Sequence, residues 1–174
     1  FKIRLSVVRT LLTTHSGRFG CDGLIQSGSS NTMDYVAYLT PAAMEIRQLV
    51  QQKIRIIENS SICKKTTYFG YIDTRRRELS ICTARIIAFG DAARHINETL
   101  LHESVHVAQA CKTGFRGMRA FGINSSALVL TASREQDLKM FDRVYRNNKA
   151  LEREAFWMED KPNEVLYVVN KYCF

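Results

Sequence analysis

The chain contains the pattern His-Glu-x-x-His at residues 102–106, within an apolar run. On an α-helix, His102 and His106 lie one turn apart and about 40° apart around the axis, so both imidazoles can bind the same metal ion. Glu103 lies at the flank of that face, where a carboxylate can take a proton from a metal-bound water. Two histidines and a carboxylate are costly to bury in an apolar helix unless they have a partner. The pattern therefore predicts a zinc-binding helix with Glu103 as the general base.

Length and composition favour one folded domain. The 174 residues are 45% hydrophobic, enough for a sizeable core, and we find no run of 18 apolar residues that could span a membrane. We expect a single soluble domain over residues 1–174, with a loose Gly/Ser-rich segment at 1–40 and the functional core at 64–160. The sequence begins at Phe1 and contains no signal peptide that would settle whether a leader was removed, so the compartment stays open and secretion is one option.

The net charge of +8 raises the question of an acidic partner such as nucleic acid. The basic residues are scattered, and the only run, at residues 75–77, lies between two strand-like segments. A solvated hairpin tip explains that run better than a binding patch does. We therefore expect a peptide or protein substrate and no nucleic-acid partner. The oligomeric state is not predicted.

The order of predicted elements indicates an α+β fold. Thr40 and Pro41 begin a helix, and β-branched and aromatic residues at 66–72 and 79–83 indicate a hairpin around a turn at 73–78. Helical patterns follow at 97–112, 133–145 and 148–160, and a last short helix runs from Pro162 toward Tyr172. We expect a small hairpin or sheet packed on the motif helix, with further helices C-terminal to it.

The five cysteines are an odd number and include no C-x-x-C pair, so they do not indicate a zinc ribbon or a thioredoxin-type site. If the chain is exported, Cys82 and Cys111 are the pair that we expect to form a disulfide. Cys111 is a poor metal ligand, because on a continuous helix its side chain points about 140–180° away from the two histidines.

Zinc in hydrolases usually has three protein ligands and a water, so a third ligand must come from elsewhere in the chain. An extended histidine motif would need Gly at position 109 and His at position 112, but these residues are Gln109 and Lys112. His95 is a further imidazole nearby, and we rank it below the carboxylates.

The predicted helix at 148–160 carries the preferred third ligand. Glu152 shares a helix face with Ala155, Phe156 and Glu159, and the small Ala155 would allow two helices to approach closely. Glu154 points about 200° away from Glu152 around the axis. We therefore assign Glu152 as the third ligand, with Glu154 second and Glu159 third.

The His-Glu-x-x-His helix followed by Glu-x-x-Ala at residues 152–155 resembles the gluzincin metallopeptidases, a group of zincins, especially their minimal single-domain members. The resemblance covers roughly residues 64–160 and implies a zincin-like fold with a strand directly before the motif helix. It implies zinc bound by His102, His106 and Glu152, with Glu103 as general base and acid. It also implies that a substrate peptide lies extended against the strand at 79–83.

Many gluzincins have Asp four residues after the ligand Glu, bonded to a ligand histidine, but this chain has Phe156 there. Gln109 and Glu159 are the candidates for that acceptor role. Tyr145, Arg143 and His95 are the candidates for stabilising the tetrahedral intermediate, by their positions in the chain.

The sequence therefore predicts a zinc-dependent metallopeptidase, a hydrolase that cleaves peptide bonds with a metal-activated water. One alternative is an inactive zincin-like domain with a structural or partner-binding role. Another is a basic nucleic-acid-binding module in which the motif is incidental.

Overall fold

A computed structural model describes residues 34–144 and 148–174 of the chain, without the side chains of 142–144. Within these residues the fold is α+β, as predicted, with one three-stranded sheet and seven α-helices after a short 3-10 turn at Tyr35–Tyr38. The elements are α1 (Pro41–Gln51), β1 (Arg55–Glu58), α2 (Ser61–Lys65), β2 (Gly70–Asp73), β3 (Glu78–Ile81), α3 (Thr83–Phe89), α4 (Ala92–Cys111), α5 (Ala132–Val144), α6 (Lys149–Met158) and α7 (Pro162–Cys173).

The sheet has the order β1-β3-β2, and β2 and β3 form the predicted antiparallel hairpin. Ile72 and Leu79 lie opposite each other on this hairpin, and both are fully buried in the core that includes α4. β1 pairs with β3 in parallel and was not predicted, because its four residues follow α1 closely. A run this short is ambiguous between a strand and the end of a helix.

Two expectations about the strand at 79–83 are wrong. β3 ends at Ile81, and α3 separates it from α4, so no strand directly precedes the motif helix. β3 is also the central strand, hydrogen-bonded to β1 on one side and to β2 on the other. A substrate peptide cannot pair with a strand whose two edges are already occupied.

α4 is the central helix of the fold. Every residue from 99 to 110 is buried, because α1, α6, α7 and the sheet surround the helix. The helix begins at Ala92, five residues before the predicted start at Asn97. Across the 34–144 and 148–174 ranges, no helix combines the length and the apolar character needed to cross a bilayer.

The packed unit extends beyond residues 64–160. The Asn97 side chain donates to the Tyr38 carbonyl at 2.8 Å and accepts from the Thr40 backbone N–H at 2.9 Å. Tyr35 is buried in the same core as α1 and α7. Residues 34–40, which the sequence suggested to be loose, are therefore packed against the domain, whereas residues 1–33 lie outside the described part of the chain.

Two disulfides join elements of the fold, and the predicted Cys82–Cys111 pair is wrong. Cys82, just after β3, is bonded to Cys63 in α2, and Cys111, at the end of α4, is bonded to Cys173 in α7. The additional helix α3 lies between β3 and α4. Cys21 lies outside the described residues.

Candidate metal centre

The structure brings His102, His106 and Glu152 together between α4 and α6. The Nε2 atoms of the two histidines are 3.2 Å apart. The Glu152 carboxylate places one oxygen 3.4 Å from His102 Nε2 and the other 3.3 Å from His106 Nε2. None of the three side chains has exposed surface. Of the residues that the structure describes, this is the one group of His, Cys, Asp and Glu side chains arranged so that it could hold a metal ion.

The spacing of these atoms suits a tetrahedral ion. With metal–ligand bonds of about 2.0 Å, neighbouring ligand atoms of a tetrahedral site are about 3.3 Å apart. The separation of the two Nε2 atoms, 3.2 Å, agrees with that value, and each Nε2 lies 3.3 or 3.4 Å from a different oxygen of the Glu152 carboxylate. Zinc sites with two histidines and one glutamate take water or substrate in the fourth position.

Gln109 fixes the protonation of the His106 ring. Its Nε2 donates to the Leu151 carbonyl at 3.1 Å and to Glu154 at 3.0 Å, so its Oε1 faces His106 Nδ1 at 2.7 Å. An amide oxygen only accepts, so His106 must carry a proton on Nδ1. Its Nε2 lone pair therefore points into the cluster, as metal binding requires.

Glu159 has the same role behind His102. Its Oε2 lies 3.0 Å from His102 Nδ1, and its Oε1 accepts from Arg134 Nε at 2.7 Å. The ring of Phe156, in the position where many gluzincins have Asp, packs edge-on against the His102 ring. Both acceptors that the sequence offered, Gln109 and Glu159, are thus in contact with a histidine, one for each ring.

Without a metal, the same cluster would hold a proton. Burial is the largest influence on His102 and favours its neutral form, but hydrogen bonds and charge from Glu152 and Glu159 outweigh it and raise the His102 pKa to about 10. Burial also opposes ionisation of Glu152, but the two histidines lower its pKa to about 2. Without a metal, the cluster would therefore contain a buried ion pair between an imidazolium and a carboxylate.

Glu103 lies beside the cluster and has a different environment. It is fully buried, and neither carboxylate oxygen has a hydrogen-bond partner among the described residues. Burial raises its pKa to about 7, against the opposing influence of His106 and His102. Such a carboxyl group is suited to exchange a proton near neutral pH.

Gly70, at the start of β2, allows Glu103 to occupy this position. A Cβ atom at Gly70 would lie within 2.7 Å of three side-chain atoms of Glu103. Any other residue would force one of the two to move. Sequence reasoning missed Gly70, although a glycine inside a strand pattern is a known sign of close approach by another group.

The remaining candidates lie elsewhere. Glu154 accepts from the backbone N–H groups of residues 121–123 and is outside the cluster. His95 contacts Glu98 and the Phe89 ring, two turns of α4 before His102. Tyr145 lies outside the described residues, as does the Arg143 side chain. The basic run at 75–77 is exposed on the turn between β2 and β3, as predicted.

The chain is thus an α+β domain with a buried His/Glu cluster that could hold a metal ion. The family model described as "Domain of unknown function (DUF8637)" matches residues 35–174, so the chain belongs to that family. No curated protein and no solved structure matches the chain.

Proposed function

We propose that the protein is a zinc-dependent metallopeptidase of zincin-like fold. The observation that carries this proposal is the geometry of the cluster: two Nε2 atoms 3.2 Å apart, each within 3.4 Å of a Glu152 oxygen, beside the Glu103 carboxylate, which has no hydrogen-bond partner among the described residues. The ligand groups come from two packed helices, α4 and α6, which suits a preorganised site.

Zinc, when bound, acts as a Lewis acid on the peptide carbonyl and lowers the pKa of the attacking water. His102, His106 and Glu152 hold the ion, and Glu159 and Gln109 hold the two imidazoles in the correct tautomer. Glu103 accepts the proton of the water and delivers it to the leaving amine. Its burial beside the cluster, with no hydrogen-bond partner among the described residues, leaves both carboxylate oxygens available for this transfer.

The free edge of β2 is the proposed position of the substrate peptide. β2 pairs with β3 on one side, and no described strand pairs with its other side. Gly70 on this strand lies against Glu103, so a peptide that extends the sheet here would pass the general base. This proposed position on β2 replaces the position along β3 that the resemblance implied for the substrate peptide.

Replacement of the general base tests the proposal. Glu103→Gln should keep zinc and lose about 10²- to 10⁴-fold in kcat on any peptide that the wild type cleaves, because an amide cannot accept the proton. Glu45→Gln, a carboxylate-to-amide change at an exposed position of α1, is the matched control. Peptide-library cleavage followed by mass spectrometry provides the assay, and wild-type turnover in Glu103→Gln would disprove the mechanism.

A second candidate function is a zinc-binding domain that does not cleave. The observation in its favour is the burial of the site, because His102, Glu103, His106 and Glu152 are all inaccessible to solvent. A substrate would need an opening that reaches them. One zinc per chain together with no cleavage across a broad peptide library would support this function over the first.

We also propose that the protein resides in an oxidising compartment, because four cysteines form two disulfides. Thiol titration of the unfolded, unreduced protein should detect at most one of the five cysteines. Four or five reactive thiols in protein isolated from its natural source would contradict this assignment.

A further inference from the structure

We propose that Glu154 is a positioning residue for His106: it acts through Gln109 and couples the loop at residues 121–123 to the metal centre. Only the zinc readout of this proposal rests on the proposed function, because the hydrogen bonds themselves exist with or without an ion.

The Glu154 carboxylate collects four donors in a nearly dry environment, since only 2% of the residue is exposed. Its Oε2 accepts from Phe121 N at 2.8 Å and from Gln109 Nε2 at 3.0 Å. Its Oε1 accepts from Gly122 N at 2.9 Å and from Ile123 N at 3.3 Å. All four partners are N–H donors, and the two oxygens of a carboxylate have enough lone pairs to accept from all of them.

The contact with Glu154 determines which way the Gln109 amide points. In the observed orientation, Nε2 donates to Glu154 and to the Leu151 carbonyl, and Oε1 accepts from His106. A flipped amide would place its oxygen against two other acceptors and would offer His106 a donor. His106 would then have to protonate Nε2, the atom that faces the cluster, so the orientation of one amide decides whether this ring can bind a metal.

The loop itself is held on several sides. Arg119 N donates to the Gln109 carbonyl at 3.2 Å, and Lys112 Nζ donates to the Ala120 carbonyl at 2.8 Å. The Phe121 ring stacks on Tyr172 of α7 with centroids 4.8 Å apart. The three backbone N–H groups of 121–123 therefore converge on Glu154 from a fixed loop. Displacement of this loop would remove three of the four donors that hold the carboxylate.

The first test is Glu154→Gln, which puts a donor where at least one of the four N–H groups now points. We expect zinc affinity to fall about tenfold, at the lower end of the range for residues behind a metal ligand. We also expect faster solvent exchange of the His106 Nδ1 proton in the metal-free protein, measured by NMR. Glu135→Gln is the matched control: it weakens the ion pair between α5 and Arg153 of α6 and should change zinc affinity less than about twofold.

A swap of the two side chains distinguishes positioning from general weakening of the fold. Gln109→Glu alone places two carboxylates where an amide and a carboxylate now lie 3.0 Å apart, so it should lower zinc affinity more than Glu154→Gln does. In the double variant Gln109→Glu/Glu154→Gln, an amide again donates to a carboxylate, and zinc affinity should recover relative to Gln109→Glu alone.

The proposal would be overturned if Glu154→Gln left both zinc affinity and His106 proton exchange at wild-type values. If Glu154→Gln does not fold, Gln109→Met removes the hydrogen bond between residues 109 and 154 and leaves the bonds between Glu154 and the loop in place. Wild-type values in that variant would overturn the proposal equally. If the wild type binds no zinc, the proposed function fails, and proton exchange of His106 still tests the positioning role.

Discussion

The two flanks of the cluster differ in how their polar groups are bonded. On the flank formed by α4 and α6, each histidine has an acceptor behind it, and that acceptor is itself held by Arg134 or Glu154. On the flank facing β2, the Glu103 carboxylate is buried with no hydrogen-bond partner among the described residues. The Glu152 oxygens also have none, but they lie 3.4 and 3.3 Å from the Nε2 atoms of the two histidines. Leaving a buried polar group unpaired costs about 1–3 kcal/mol, and more for a charged group. Under the proposed function, one flank would hold the ion and the other would keep a carboxyl group reactive.

The largest effect that separates the two flanks is expected from Gly70→Ala. The added methyl group would displace Glu103, and a misplacement of about 1 Å can lower turnover about 10²-fold. Zinc content should stay at the wild-type level, because the three atoms nearest to the added methyl group all belong to Glu103, which is not a ligand in the proposed site. Parallel assays of peptide cleavage and metal content check this, and loss of zinc together with activity would show that the flanks are not independent.

On the helix flank, Glu159→Gln should weaken zinc binding about 10- to 100-fold. A carboxylate accepts from both His102 and Arg134, whereas an amide must turn its NH₂ group toward one of these donors. Competition with a chromophoric chelator gives the affinity, and Glu164→Gln at an exposed position of α7 is the control. An unchanged zinc affinity would mean that the contact between Glu159 and His102 Nδ1 does not contribute to zinc binding.

The pH dependence of stability also distinguishes the two flanks, through His102 and Glu103. In the metal-free protein the His102 pKa is raised from 6.5 to about 10, so its favourable contribution is complete below pH 6.5 and is lost as the pH rises to about 10. The Glu103 pKa is raised from 4.5 to about 7, so the stability that its neutral form contributes is lost between those values. Above pH 7, His102 therefore still contributes a loss of stability, whereas the contribution of Glu103 is complete.

Thermal unfolding with a chelator or with zinc measures this dependence. The melting temperature with chelator should fall from pH 7 toward pH 10 more steeply than with zinc, because zinc replaces the proton in the cluster. Other groups that titrate in this range affect both samples equally. Parallel curves would argue against a proton and a metal ion sharing this site.

The smallest effect is expected from Arg134→Lys. Arg134 holds Glu159 through Nε and Asp160 through Nη1, and a lysine cannot reproduce this fork. Because Arg134 is two contacts away from the ligand His102, zinc affinity should fall only about threefold. A chelator titration resolves this change. A loss of zinc affinity as large as that of Glu159→Gln would mean that Arg134 matters as much for zinc binding as Glu159 does.

Local helix geometry made much of the candidate site predictable. The spacing of His102 and His106 places them on one helix face, and the same reasoning places Glu152 and Glu159 on one face of α6 and turns Glu154 away. In the structure these faces meet, because α4 and α6 pack against each other. The metal-ligand and catalytic roles of these residues remain predictions.

Groups that meet only through tertiary contacts were not predictable. The loop at 121–123 reaches Glu154 across more than 30 residues of sequence, and Arg134 reaches Glu159 from another helix. The pairing of Cys82 was wrong for the same reason, since the unpredicted α2 carries its partner Cys63. Periodicity describes single elements, whereas these contacts depend on how several elements pack.

The central claim is that His102, His106 and Glu152 bind zinc, and elemental analysis tests it most directly. The wild type, His106→Ala and Glu152→Ala should be purified without chelator and supplied with zinc before exhaustive dialysis. One zinc per chain in the wild type and less than a tenth of that in both variants is the expected result. No zinc in the wild type, or full zinc content in either variant, would contradict the account.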